Sequence, residues 1–134
     1  MIVYRWVDHT AELELQIDAA NQDELFADAI DAFEELVGGD PAGEATRHEV
    51  FVLAEGPDPA SLLVEWIEEL IFLAETEDFV PERLVSLELG ESELRAEVEG
   101  RRGKPAHLVK AVTYHGLLVE AREDGWHARV VLDV

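Results

Sequence analysis

Between Leu13 and Val37 the apolar residues change period, and that change restricts the fold more than any other feature of the chain. Leu13, Leu15 and Ile17 alternate with Glu14, Gln16 and Asp18, the two-residue period of a strand with one buried face. Phe26, Ile30, Phe33 and Val37 then recur with Leu25, Ala29 and Leu36, while Glu24, Asp28, Asp31 and Glu35 repeat on the other side. That is the period of an amphipathic helix with an acidic outer face. Asn21 is placed to cap it, with Glu24 three residues on in the capping-box position, and Gly38-Gly39 marks its end. A strand running directly into such a helix calls for a layer of strands on which the helix can pack.

The remaining chain repeats these two signals. Thr46 to Ala54 is strand-like and apolar on both faces at its centre, which predicts an inner strand. Asp58 followed by Pro59 starts a second helix. Leu62, Leu63, Trp66, Ile67, Leu70, Ile71 and Ala74 form its buried stripe, with Glu65, Glu68, Glu69 and Glu75 outside. Trp66 at that spacing reads as core. Arg83 to Leu89 and Glu91 to Glu99 form a hairpin around Gly90. Gly100 to Pro105 reads as an exposed loop, whose Arg101, Arg102 and Lys104 either meet a phosphate or acidic partner or do nothing. Leu108 to Arg122 is a further strand, and Glu123-Asp124-Gly125 turns the chain into a last one, Trp126 to Asp133. The pattern predicts a single domain over residues 1–134 of the α+β class, two amphipathic helices packed on a mostly antiparallel multi-stranded sheet.

Charge narrows the functions open to this domain. The chain carries 31 acidic and 10 basic residues, a net charge of −21. Such a surface repels phosphate backbones, which bind proteins through lysine and arginine, so autonomous nucleic-acid binding is not expected. The acidity serves either solubility and adaptation to salt or heat, or attraction of a basic partner or of cations. Arg95, Arg101, Arg102, Lys104, Lys110, Arg122 and Arg129 all lie in the last third. No basic leader precedes an apolar run and no stretch approaches the ~20 apolar residues of a membrane span, so the expectation is a cytoplasmic protein without membrane attachment. The oligomeric state is not legible.

Cysteine is absent, which removes disulfides, thiolate metal sites and a cysteine nucleophile. Ser61, Ser86 and Ser92 sit on no glycine-flanked elbow. No two of the five histidines have the four-residue spacing of a helical zinc motif. Oxygen chemistry is easier to build. Asp8, His9, Thr10 and Glu12 crowd into five residues ahead of the first alternating strand, and a turn at His9-Thr10 would gather them at one end of the sheet. The last strand stops on Asp133, followed by Val134. Glu12, Asp133 and the carboxylate of Val134 together can supply oxygen ligands of the kind calcium and magnesium take. Equally, Asp133 can simply end a strand.

Three stretches taken together resemble the archease family: Tyr-Arg-Trp-Val-Asp-His-Thr-Ala-Glu (4–12), Lys-Ala-Val-Thr-Tyr-His-Gly-Leu (110–117) and Val-Val-Leu-Asp-Val (130–134). The likeness covers essentially the whole chain. The family pattern closes its first motif on aspartate where this chain has Glu12. The resemblance implies a metal-binding accessory protein of the RtcB-type RNA ligase, which joins RNA ends in tRNA splicing and RNA repair. It implies stimulation of guanylylation and multiple turnover of that partner, not catalysis by the chain itself. Carried over by motif, the metal ligands are Glu12, Asp133 and Val134, with Asp8 and His9 in support. The ion is expected to be divalent, calcium first, with magnesium or manganese as alternatives. A chaperone-like protein that keeps partners from aggregating is the alternative the resemblance leaves open. A metal-assisted hydrolase using the same acids is a weaker one.

Overall fold

The computed structural model describes residues 4–9, 12–38 and 47–134, and of His9, Arg47 and His48 the backbone alone. In chain order the elements are β1 (Tyr4–His9), β2 (Glu12–Ala19), α1 (Gln22–Val37), β3 (Arg47–Glu55), α2 (Pro59–Thr76), β4 (Phe79–Leu89), β5 (Glu93–Arg102), β6 (Ala111–Arg122) and β7 (Gly125–Asp133). The strands form two antiparallel sheets, ordered β1-β2-β7-β6 and β3-β5-β4. The expected α+β class and antiparallel pairing are present, and the strand set is divided between two sheets. Both helices touch both: α1 packs on β1, β2 and β7 of the first and on β4 of the second, and α2 on β3, β4 and β5 of the second and on β6 of the first.

Local chemistry starts both helices where the sequence indicates. Asn21 is extended and its Oδ1 accepts the Glu24 N–H at 2.9 Å. Glu24 reaches back to the N–H of Ala20 at 3.2 Å, one residue earlier than the usual reciprocal box. Asp58 caps α2 by accepting the Ser61 N–H at 2.8 Å, and Pro59 stands in the first turn. Phe26, Ile30, Phe33, Trp66, Ile67 and Leu70 are all buried in one core. The Trp66 indole N–H donates to the Phe26 carbonyl at 3.0 Å and so ties α2 to α1. Tyr4 Oη donates to Glu35 of α1, and this bond, with burial as the larger cause, pushes the phenol far above its ordinary pKa.

Asp28, expected on the acidic outer face of α1, is buried, and three further expectations need correction. The first concerns β3, which is an edge strand of the second sheet and not an inner one. Its Val52 and Ala54 are buried, but Phe51 is 83% and Leu53 54% exposed. Apolar residues on both faces look the same in a strand covered twice and in one whose outer face is bare. The second concerns Gly100-Arg101-Arg102, which belong to β5 and not to a loop. Gly100 is there for space: a Cβ would lie 2.2 Å from the Val80 carbonyl oxygen. Arg101 is buried, donates to the Gly38 carbonyl and lies 3.7 Å from Glu82. It supplies the positive charge that the last turn of α1 lacks, where the helix dipole favours a cation. The third is that β4 begins at Phe79, before Pro81, which is accommodated at an irregularity in its pairing with β5. The expected stop at Gly39 and strand start at Thr46 lie outside the described residues.

Candidate functional site

The register of the first sheet decides which acids can meet. Glu12 pairs with Asp133 across β2 and β7. On the flanks His9 stands opposite Glu12 and Ala111 opposite Asp133. These four positions form one row across the sheet, at the end of β2 nearest the β1 connection. Directly opposed residues have Cβ atoms about 4.5–5.5 Å apart. The row lies on the outer face, because Leu13, Leu15, Ile17 and Ala19 pair with Leu132, Val130, Ala128 and Trp126 on the inner one. The end of β7 is held in place by the Lys110 N–H, which donates to the Asp133 carbonyl at 2.8 Å. Val134 follows at the rim, 38% exposed.

Asp8 does not join this row. It pairs with Leu13, so strand alternation turns its side chain to the opposite face. The His9-Thr10 turn expected to gather these residues falls partly on positions 10–11, outside the described residues. Among the described residues no group of three or more His, Asp or Glu side chains is close enough to hold a metal ion. What the fold provides is a pair of carboxylates on neighbouring strands, with Val134 next along the chain. Like charges directly opposed destabilise a sheet, and a cation between them removes that cost. An all-oxygen set of this size suits a hard divalent ion that keeps part of its water shell, as magnesium does, more readily than a complete calcium cage.

Farther along the same face lies a second polar group that sequence reasoning passed over. His127 and Asp18 are opposed across β7 and β2, and the imidazole Nδ1 faces Asp18 while Nε2 sits 3.0 Å from Asp124 Oδ1. The Asp124 contact, then that with Asp18, raises the His127 pKa above its ordinary value, and the same bond lowers that of Asp124. Next to it Arg5 donates to Gln16 Oε1 at 2.7 Å, and Arg129 donates to the Gly116 carbonyl at 2.9 Å. Gly116 has φ +69 within the irregular stretch of β6 between Thr113 and Leu118. The Lys110–Leu117 motif thus forms the start and the bulge of an edge strand, where Tyr114 stands 63% exposed. Asp124, three residues before His127, was the visible signal for this group; Asp18 was not.

A wide cleft of about 760 Å³ lies elsewhere, lined by Asp23, Asp58, Glu91 and Trp126 beside the starts of both helices. Asp58 is already engaged as a cap of α2. No described helix is long and apolar enough to cross a membrane.

A small two-sheet, two-helix domain with an acid pair where its second and last strands meet is the class these features define. The chain belongs to the Archease protein family (MTH1598/TM1083), whose model matches residues 4–134. Protein archease of Archaeoglobus fulgidus is 35% identical over 137 residues, covering 98% of each chain. That of Methanosarcina barkeri is 32% identical over 141 residues, covering 98% of this chain and 95% of its own. The fold is also that of a crystal structure of a Thermotoga maritima archease described as a possible chaperone (TM-score 0.70, 23% identity, 96% and 94% coverage). It is likewise that of the solution structure of Methanobacterium thermoautotrophicum protein 1598 (TM-score 0.69, 24% identity, 98% of each chain).

Proposed function

We propose that this chain is a metal-binding accessory protein that activates an RtcB-type RNA ligase in tRNA splicing and RNA repair, stimulating guanylylation and multiple turnover. The observation that carries the reading is the direct opposition of Glu12 and Asp133 in the sheet register. Residues 121 positions apart in sequence become neighbours, and both are carboxylates. In this reading Glu12, Asp133 and a main-chain oxygen of Val134 hold one divalent ion. The bound ion supplies positive charge and oxygen-seeking coordination at the sheet's rim. The Lys110–Asp133 bond keeps the last strand in register, and His9 flanks the pair from β1. The net charge of −21 favours approach to a partner whose cleft is basic enough to bind nucleotide and RNA.

A second reading, a chaperone-like role, draws support from the bare Phe51 and Leu53 and from the description of the Thermotoga relative. Titration of a purified ligase on RNA with matched ends, with GTP and a divalent ion, separates the two. An activator raises turnover when present well below the ligase concentration. A holdase protects unrelated unfolded proteins in proportion to its amount and leaves ligation unchanged, a result that would remove the activator reading.

A further inference from the structure

The four sheet edges are not equally guarded. Long, flat, apolar edges invite pairing with another chain, and proteins blunt them with proline, bulges or short length. The β4 edge contains Pro81 and two irregularities of register, β6 is bulged between Thr113 and Leu118, and β1 has six residues. The β3 edge has none of these. Its nine residues run in unbroken register with β5, from Arg47 opposite Arg101 to Glu55 opposite Glu93. Among the described residues its other side pairs with no strand. At its centre Phe51 and Leu53 project from the outer face, 83% and 54% exposed.

The charges around this apolar centre are predominantly negative. Glu49 and Glu55 stand on either side of it along β3, and Glu97 is the partner of Phe51 on β5. A hydrogen bond with Glu49 pushes the Glu97 carboxyl above its usual pKa, a sign of how closely the acids crowd. Arg95 and Arg83 on this face are engaged by Glu93 at 2.5 Å and Glu99 at 3.1 Å.

We propose that β3 captures an extended, basic segment of a partner protein by strand addition. The segment's main chain completes the β3 ladder, its arginines or lysines meet Glu49 and Glu55, and its apolar side chains cover Phe51 and Leu53. A second copy of this chain fits worse, because it brings another net charge of −21 to an interface of carboxylates. A general hold on unfolded chains also fits worse, since two apolar side chains framed by acids select for complementary charge. The site is on the other sheet from Glu12 and Asp133 and stands whether or not those residues bind an ion.

The test uses the whole chain and a blocked nine-residue peptide, Thr-Arg-Thr-Val-Thr-Val-Thr-Arg-Thr, whose two arginines and two valines share one face of a strand as Glu49, Phe51, Leu53 and Glu55 do, read by amide hydrogen exchange in NMR. Saturating peptide should slow exchange of β3 amides by about tenfold or more and leave the other edges unchanged. Raising salt from about 50 to 300 mM should weaken binding. The Phe51→Thr/Leu53→Thr variant keeps strand-forming residues and should weaken binding about tenfold, with circular dichroism unchanged. Protection by a glutamate-for-arginine peptide, by a peptide of the same composition with its arginines and valines on opposite faces, or at another edge would overturn the proposal. So would sedimentation of the chain alone as a dimer that the double variant dissolves.

Discussion

Replacing Trp66 by alanine tests the packing that positions everything else. The side chain is fully buried, and its N–H reaches the Phe26 carbonyl at 3.0 Å, so one residue joins the two helices. Truncating a buried tryptophan costs about 3–5 kcal/mol in lost transfer energy and cavity. The hydrogen bond accounts for about 1 kcal/mol of this, since the Phe26 carbonyl keeps its place in the helical ladder. A domain of this kind has roughly 5–15 kcal/mol in all, so the variant forfeits a large share of its stability. With a urea slope of about 2 kcal/mol per molar, the midpoint should fall by about 2 M. Trp66→Phe keeps most of the apolar volume and loses the bond, and should fall by about 0.5–1 M. The melts are best followed by far-ultraviolet circular dichroism, because the variant removes one of three tryptophans. An alanine shift below about 0.5 M at unchanged slope would refute this account of the helix interface.

Two further predictions concern ionised groups. Arg101→Met should cost about 1–3 kcal/mol, the value of a charge-assisted bond to a buried partner, here the Gly38 carbonyl. Burial and then Glu82 raise the Glu34 pKa while Arg101 lowers it, so the Arg101→Met deficit should be larger at neutral pH than near pH 4.5; equal deficits would refute the coupling. The His127 pKa is raised in the fold. Its contribution is therefore complete below the unfolded value of about 6.5 and is lost as pH rises through the higher folded value. Asp124 is lowered, so its contribution is present above the unfolded value of about 3.9 and disappears as pH falls through the folded one. Thermal melts should show wild-type stability declining more steeply than that of His127→Gln above pH ~6.5, and parallel profiles would contradict the assignment.

How much of this was legible depends on whether the information is local. Helix α1 could be read to its cap because Asn21, Glu24 and the apolar stripe all lie within one stretch of chain. The same holds for α2, with Asp58, Pro59 and the run from Leu62 to Ala74. Strand alternation assigned Glu14, Gln16 and Asp18 to one face of β2, to which the structure adds Glu12. It carried no information on which strand would lie beside it, because neighbours in a sheet are chosen by long-range packing. For that reason the division into two sheets, the edge position of β3 and the opposition of His127 to Asp18 all came from the structure. Arg101 was misread because glycine has two uses. Gly103, at φ +153, marks the bend expected of a loop, whereas Gly100 allows β5 to approach Val80. Asp8 was grouped with Glu12 by proximity in sequence, and the pairing with Leu13 turns it to the other face. The meeting of Glu12 with Asp133 was expected from their acidity at remote chain positions and from the family motif; their alignment in a single row needed the register.

The most direct measurement of the proposed role is ligation by a purified RtcB-type enzyme with wild-type chain, Asp133→Ala, Glu12→Gln and Glu12→Asp, each with GTP and with calcium, magnesium or manganese in turn. Asp133→Ala removes one of two opposed carboxylates and should abolish stimulation, while its metal-free fold is as stable as wild type or more so, like-charge repulsion being relieved. Glu12→Gln should lose most of the stimulation. Glu12→Asp keeps the ligand type and should retain it, with the order of metals free to change. Stimulation by Asp133→Ala equal to wild type with every metal would contradict the account, because the acid pair on which it rests would then have no part in the activity.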